Sequence, residues 1–135
     1  MPIDIMLVDN DQVNSFVLKK TITRNYPSAN VSMYMDGSQA LEYLDELDRK
    51  AEPFPGIILL DIYMPVMDGF AFLEKYTERY AHKESIIFTM SNSLIKEDQQ
   101  RANAYRVVKG FITKPLIYNN VQFVIETYLK SARPD

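Results

Sequence analysis

Five apolar runs of strand length punctuate the chain: Ile3–Val8, Val31–Met35, Ile57–Leu60, Ile86–Met90 and Gly110–Thr113. A stretch of helical length follows each of them. Two of the runs, "IILL" and "SIIF", are apolar at consecutive rather than alternate positions. A strand with one wet face alternates; a strand covered on both faces has no reason to. Doubly buried strands interleaved with helices predict an α/β fold, a five-stranded parallel sheet wound on both sides, (βα)5. Apolar residues at helical spacing supply the covering layers. Val13, Phe16 and Val17 open the stripe of the first helix, and Ala40, Leu44 and Leu47 mark the second. Leu73, Tyr76 and Tyr80 form the third, and Val121, Val124, Ile125, Tyr128 and Leu129 the fifth. The fourth, expected from Glu97 to Val108, has only Ala102, Tyr105 and Val108 to bury, so most of it should face water. "NYPSAN", "EPFPG" and "KPL" supply the turns between elements.

A chain of 135 residues suits one compact domain, taken here as 1–135, with no repeat or linker to divide it. The net charge of −3 comes without a basic block or stripe, which removes the electrostatic footprint of a nucleic-acid binder. With no cysteine there is neither a disulfide framework nor a thiolate metal site. "MPIDIMLVD" lacks the layout of a signal peptide, and no apolar run approaches the roughly 20 residues that cross a bilayer. No membrane insertion and a cytoplasmic location are therefore expected.

Chemistry gathers at the carboxyl ends of the strands, where open α/β sheets bind ligands. "IMLVDND" ends in Asp9, Asn10 and Asp11, and "PGIILLDIYMPVMDG" delivers Asp61 from the most apolar run. The fourth strand ends near Ser91 and the fifth near Lys114. If the first, third, fourth and fifth strands are neighbours, these side chains meet at one edge. Clustered carboxylates repel unless a positive charge lies among them, and a hard divalent cation suits oxygen ligands. Such a site can place a phosphoryl group on a carboxylate, and Asp61 is the best candidate. Each residue also has a plainer use: Asp11 as a helix cap, Asp61 as a turn residue, Lys114 as a surface lysine.

Taken together, these segments resemble the receiver domain of response regulators, the phosphorylated half of two-component signalling. The resemblance runs from Ile3 to about Leu129 and is most specific in "LLDIYMPVMDG". It implies the flavodoxin-like strand order 2-1-3-4-5, with Asp61 as phosphoacceptor. "SNS" places Ser91 at the family's Ser/Thr position, and "FITKP" places Lys114 at its lysine. Pro115 falls where a cis bond is frequent. Phe111 takes the aromatic switch position, or serves as a plain core aromatic. The implied cofactor is Mg2+ (or Mn2+), held by Asp9, Asp61 and the Tyr63 backbone carbonyl. The implied phosphoryl donor is a histidine kinase or a histidine phosphotransfer protein. The downstream partner would read the face made by the fourth helix, fifth strand and fifth helix.

One position departs from the family pattern. Two adjacent acids usually end the first strand, and here they read Asp9–Asn10. Asparagine offers an amide oxygen without charge, so metal affinity should fall. Asp11 supplies a carboxylate one residue later, within reach of the ion directly or through water. Beside phosphoacceptor function stands a pseudo-receiver, a protein-interaction module that takes up no phosphoryl group. A haloacid-dehalogenase-type phosphatase needs a second Asp where this chain has Tyr63. A flavin phosphate would be repelled by "DND". His82, the lone histidine, lies in "RYAHKES" and is expected to be solvated. Only "KSARPD" follows Leu129, so a stand-alone receiver is expected, with a fragment of a larger regulator as the alternative.

Overall fold

A computed structural model describes residues 2–92 and 95–131. Strands and helices alternate throughout: β1 (Asp4–Val8), α1 (Gln12–Asn25), β2 (Asn30–Tyr34), α2 (Gly37–Arg49), β3 (Ile57–Asp61), α3 (Gly69–Tyr80), β4 (Ile86–Ser91), α4 (Lys96–Asn103), β5 (Val108–Thr113) and α5 (Tyr118–Ser131). The strands form one parallel sheet in the order β2-β1-β3-β4-β5. Every residue of β3 and β4 is buried, as their unbroken apolar runs require. The edge strand β2 is only half-buried. Among the described residues, no helix is long and apolar enough to cross a membrane.

The sheet separates two large cores. On one face Ile5, Leu7, Leu59 and Phe88 pack against Leu18 and Ile22 of α1 and Val121, Val124 and Ile125 of α5. On the other, Met6, Val8, Ile58 and Leu60 meet Leu41 and Leu44 of α2 and Phe72, Leu73 and Tyr76 of α3. A third, small cluster of Ile62, Phe70 and Ala102, with Phe111 packed against it, sits beneath α4. Three helices open on an aspartate. Asp11, Asp36 and Asp68 accept hydrogen bonds from the backbone N–H groups of Asn14, Gln39 and Ala71. Each such cap stabilises its helix by about 1 kcal/mol.

The structure corrects the expected first helix. Val13, Phe16 and Val17 are largely exposed, and α1 buries Ser15, Leu18 and Ile22 instead. At 3.6 residues per turn these two sets lie on opposite sides of the helix. The sequence offers two apolar faces, and the one carrying Leu18 and Ile22 meets the core. Leu129, expected inside, is likewise exposed at the end of α5. The fourth helix is shorter than expected, because Val108 is taken into β5, where it pairs with Ile87. Only Ala102 of α4 is buried.

The turn "MPVMDG" brings the chain from β3 into α3 under tight sterics. Gly69 lies so close to the preceding strand end that an added Cβ would stand 2.6 Å from Ile62 Cα and 2.7 Å from the Asp61 carbonyl oxygen. Both are backbone atoms, which cannot step aside. Val66 occupies left-handed backbone at φ 69°, with its side chain almost wholly in solvent. A β-branched residue is costly there, by about 1–2 kcal/mol, and little burial offsets it. Two outcomes are expected in urea unfolding. Val66→Gly should stabilise by roughly 0.5–1 kcal/mol, after the extra chain entropy of glycine is subtracted. Gly69→Ala should destabilise by about 2 kcal/mol or more, because the clash is with main chain.

Candidate functional site

The parallel register brings the strand ends level. Val8 pairs with Leu60, Asp61 with Met90, and Ser91 with Thr113. The residues that follow Val8 and Thr113, Asp9 and Lys114, therefore stand beside Asp61 at one edge of the sheet. The backbone N–H of Lys114 donates to the Ser91 carbonyl at 2.9 Å, and the Lys114–Pro115 peptide bond is cis. Ser91 itself is buried at the end of β4. Phe111 is half-buried on β5 against Ile62, Phe70 and Ala102.

At the centre of the cleft the Lys114 ammonium contacts two carboxylates, Asp9 Oδ2 at 2.7 Å and Asp61 Oδ2 at 3.2 Å. Asp9 and Asp61 are only 3% and 5% exposed, so neither charge is fully solvated. Both carboxylates also accept amide hydrogen bonds. Asp9 Oδ1 accepts from the Asp11 N–H at 2.9 Å, and Asp9 Oδ2 from the Asn14 amide at 3.0 Å. Asp61 Oδ1 accepts from the Tyr63 N–H at 3.1 Å. Burial pushes the Asp61 carboxyl up to about 6, and the neighbouring Asp9 charge adds to this. The Tyr63 N–H and the Lys114 ammonium oppose that shift without cancelling it. Burial alone would lower the Lys114 ammonium, but its bonds to Asp9 and Asp61 outweigh that and hold it above its ordinary value.

The other expected site residues lie further out. Asn10 is exposed at the mouth of the cleft. Asp11 is exposed too, and gives its carboxylate to the α1 cap. The Tyr63 side chain turns away along the surface and donates from its hydroxyl to Asp98 of α4. Ser93, the last residue of the "SNS" segment, and the tail 132–135 lie outside the described residues. His82 is exposed, at the other end of the strands. Asn14 was not anticipated from sequence. Its signal is its place in the first turn of α1, five residues after Asp9, where a side-chain amide can reach back to a strand-end acid.

Two ionised carboxylates around one ammonium leave an excess of one negative charge in a half-closed site. No cluster of three or more His, Cys, Asp or Glu side chains suited to a metal occurs among the described residues. The donor set nevertheless fits magnesium, which is habitually bound by one or two carboxylates together with neutral oxygens and water. Zinc and the softer metals would want nitrogen or sulfur that is not there.

Known proteins resemble the chain along most of its length. The family model for the response regulator receiver domain matches residues 5–126. A two-component response regulator from Cytophaga hutchinsonii superposes with a TM-score of 0.84 at 28% identity, covering 96% of this chain and 99% of that one. The probable methanogenesis regulatory protein FilR2 of Methanothrix harundinacea is 26% identical over 93% of this chain and 80% of its own length. The nitrate/nitrite response regulator NarL of Escherichia coli K12 is 30% identical over 67% of this chain, which spans only 39% of that protein.

The strained charge balance has a measurable consequence. Because the folded-state value of Asp61 lies above its ordinary 3.8, the native fold favours the protonated form. That contribution is fully present below about pH 4 and is lost as pH rises through about 6. Asp61→Asn cannot ionise and escapes the loss. Without divalent cations its Tm should exceed that of wild type by roughly 5 °C at pH 7. The difference should shrink towards zero at pH 4, as thermal melts across that range will show.

Proposed function

The chain belongs to the response regulator receiver domain family, and on that premise we propose that Asp61 accepts a phosphoryl group from a histidine kinase or a histidine phosphotransfer protein. The observation that carries the proposal is the Asp9–Lys114–Asp61 contact. A buried strand delivers a carboxylate to a fixed place, and one ammonium holds it beside a second acid.

In the transfer, one Asp61 oxygen attacks phosphorus and the bond from phosphorus to the donor nitrogen breaks. The electron pair leaves with the imidazole, and Asp61 becomes an acyl phosphate. Little covalent activation is needed from the protein, since placement and charge neutralisation do most of the work. Lys114, already 3.2 Å from Asp61 Oδ2, then has a phosphoryl oxygen to bind as well. Asp9, Asp61 and the Tyr63 carbonyl, with Asn10 at the rim, would hold magnesium or manganese, which would supply further positive charge for the phosphoryl oxygens. The hydroxyl of Ser91 turns to the phosphoryl group, and Phe111 follows it inward. That repacking moves α4 and β5, the face on which a downstream protein would read the state, and is a shift between two populations. The exposed apolar residues Val13 and Phe16 line a hollow together with Asp9 and suit contact with the protein donor. A cytoplasmic location goes with this role.

Asn10 favours one second possibility, a pseudo-receiver that binds partners without taking up phosphoryl groups. Intact-mass spectrometry after incubation with acetyl phosphate separates the two. A magnesium-dependent phosphoryl adduct is expected on wild type and none on Asp61→Asn. Asn10→Asp should reach the same occupancy at roughly tenfold less magnesium, the effect of one added carboxylate. If neither wild type nor Asn10→Asp takes up phosphate from acetyl phosphate or a histidine donor, the pseudo-receiver stands.

A further inference from the structure

We propose that Tyr63 couples the state of Asp61 to the position of α4, with its main chain held by the Asp61 carboxylate and its side chain held by Asp98. This rests on the phosphoacceptor role given to Asp61 above. Tyr63 is bonded at both ends. Its N–H donates to Asp61 Oδ1 at 3.1 Å, and its hydroxyl donates to Asp98 Oδ2 in the first turn of α4. One residue thus spans from the carboxylate to the helix.

The helix it reaches is lightly held. It is eight residues long, Ala102 is its single buried residue, and its N-cap position, Ile95, provides no side-chain cap hydrogen bond. Its far end is tied to α3. The Arg101 guanidinium stacks 4.0 Å from the Phe70 ring centroid, and the Tyr105 hydroxyl donates to Glu74 Oε2 at 2.8 Å. Its near end is tied by Tyr63 to the segment leaving Asp61. A hydrogen bond of this kind biases a two-state equilibrium by about two- to tenfold. That is small against a well-buried helix and substantial for this one.

Modification of Asp61 acts on the other end of the same residue. Formation of an acyl phosphate makes the carboxyl group neutral and sets charged phosphoryl oxygens beside it, so the Tyr63 N–H exchanges a carboxylate for a different set of acceptors. The main chain at Tyr63, whose carbonyl is given to the metal above, resettles around the phosphoryl group, and the hydroxyl moves with it. Asp98 and the first turn of α4 follow that movement. Tyr63 is a positioning residue in this scheme. Its side chain performs no chemistry on phosphorus.

Hydrogen exchange of residues 95–103, followed by mass spectrometry on the full chain, tests this in wild type, Tyr63→Phe, Asp98→Ala and the double variant; alanine is used because asparagine would keep an oxygen that accepts from the Tyr63 hydroxyl. In unmodified protein each single change should speed exchange of α4 about two- to tenfold. Tyr63→Phe should add nothing in the Asp98→Ala background, where the acceptor of its hydroxyl is already gone. Asp98 lies outside the phosphoacceptor cleft, so Asp98→Ala should still take up phosphate from acetyl phosphate. The difference in α4 exchange between its free and phosphorylated forms should nevertheless be smaller than in wild type. Additive effects in the double variant, or an undiminished phosphoryl-dependent difference in Asp98→Ala, would overturn the coupling. Absence of any adduct on wild type would instead remove the phosphoacceptor role, and the additivity measured in unmodified protein would still decide whether Tyr63 holds α4.

Discussion

One ammonium between two carboxylates organises this edge of the molecule. Lys114 can touch Asp9 and Asp61 together because three strands end level and the fifth brings its following residue to the same height. Without that cation two like charges would face each other with little water to separate them. The geometry in turn depends on continuous apolar strands, since only a strand gripped on both faces holds its terminal residue to within the reach of a hydrogen bond. Core and site are therefore the same construction seen from two ends. The charge balance is incomplete, with two carboxylates around one ammonium.

Much of the fold was legible because its signals are redundant. The unbroken runs of β3 and β4 dictate burial on both faces, and Asp61 at the end of one of them dictates where a carboxylate must emerge. The convergence of Asp9, Asp61, Ser91 and Lys114 follows from the strand ends once the first, third, fourth and fifth strands are neighbours; the strand order came with the family resemblance and agrees with the topology. Illegible features are those where two local solutions compete. The first helix has apolar residues on two faces, and nothing local says that Leu18 and Ile22 dock while Val13, Phe16 and Val17 stay wet. The end of α4 could not be placed because Val107 and Val108 suit either a helix stripe or an edge strand, and pairing with β4 decides it. Asp98 acts across a folded distance, meeting Tyr63 35 residues away, so its partner has no signature in the linear chain.

The segment between Asp61 and Gly69 shows how closely backbone and chemistry are joined. Gly69 permits main chain to pass against main chain, and Asp68 caps the helix that begins there. A strained Val66 stands between them. The turn is thereby fixed at both ends, and the Tyr63 N–H keeps its aim at the Asp61 carboxylate. Asn10, by contrast, stands at an exposed position where charge rather than shape is at issue. Its substitution for an acid alters the electrostatics of the cleft while leaving these backbone contacts in place.

The small cluster beneath α4 has a consequence for how such a protein diversifies. Ile62, Phe70, Ala102 and Phe111 form a unit apart from the two large cores that the sheet divides. Most of α4 is in solvent and contributes little to either core. Substitutions on this helix can therefore change the surface it presents at small expense in folding stability. Descendants of one ancestral domain can vary this face while inheriting the sheet that positions the cleft.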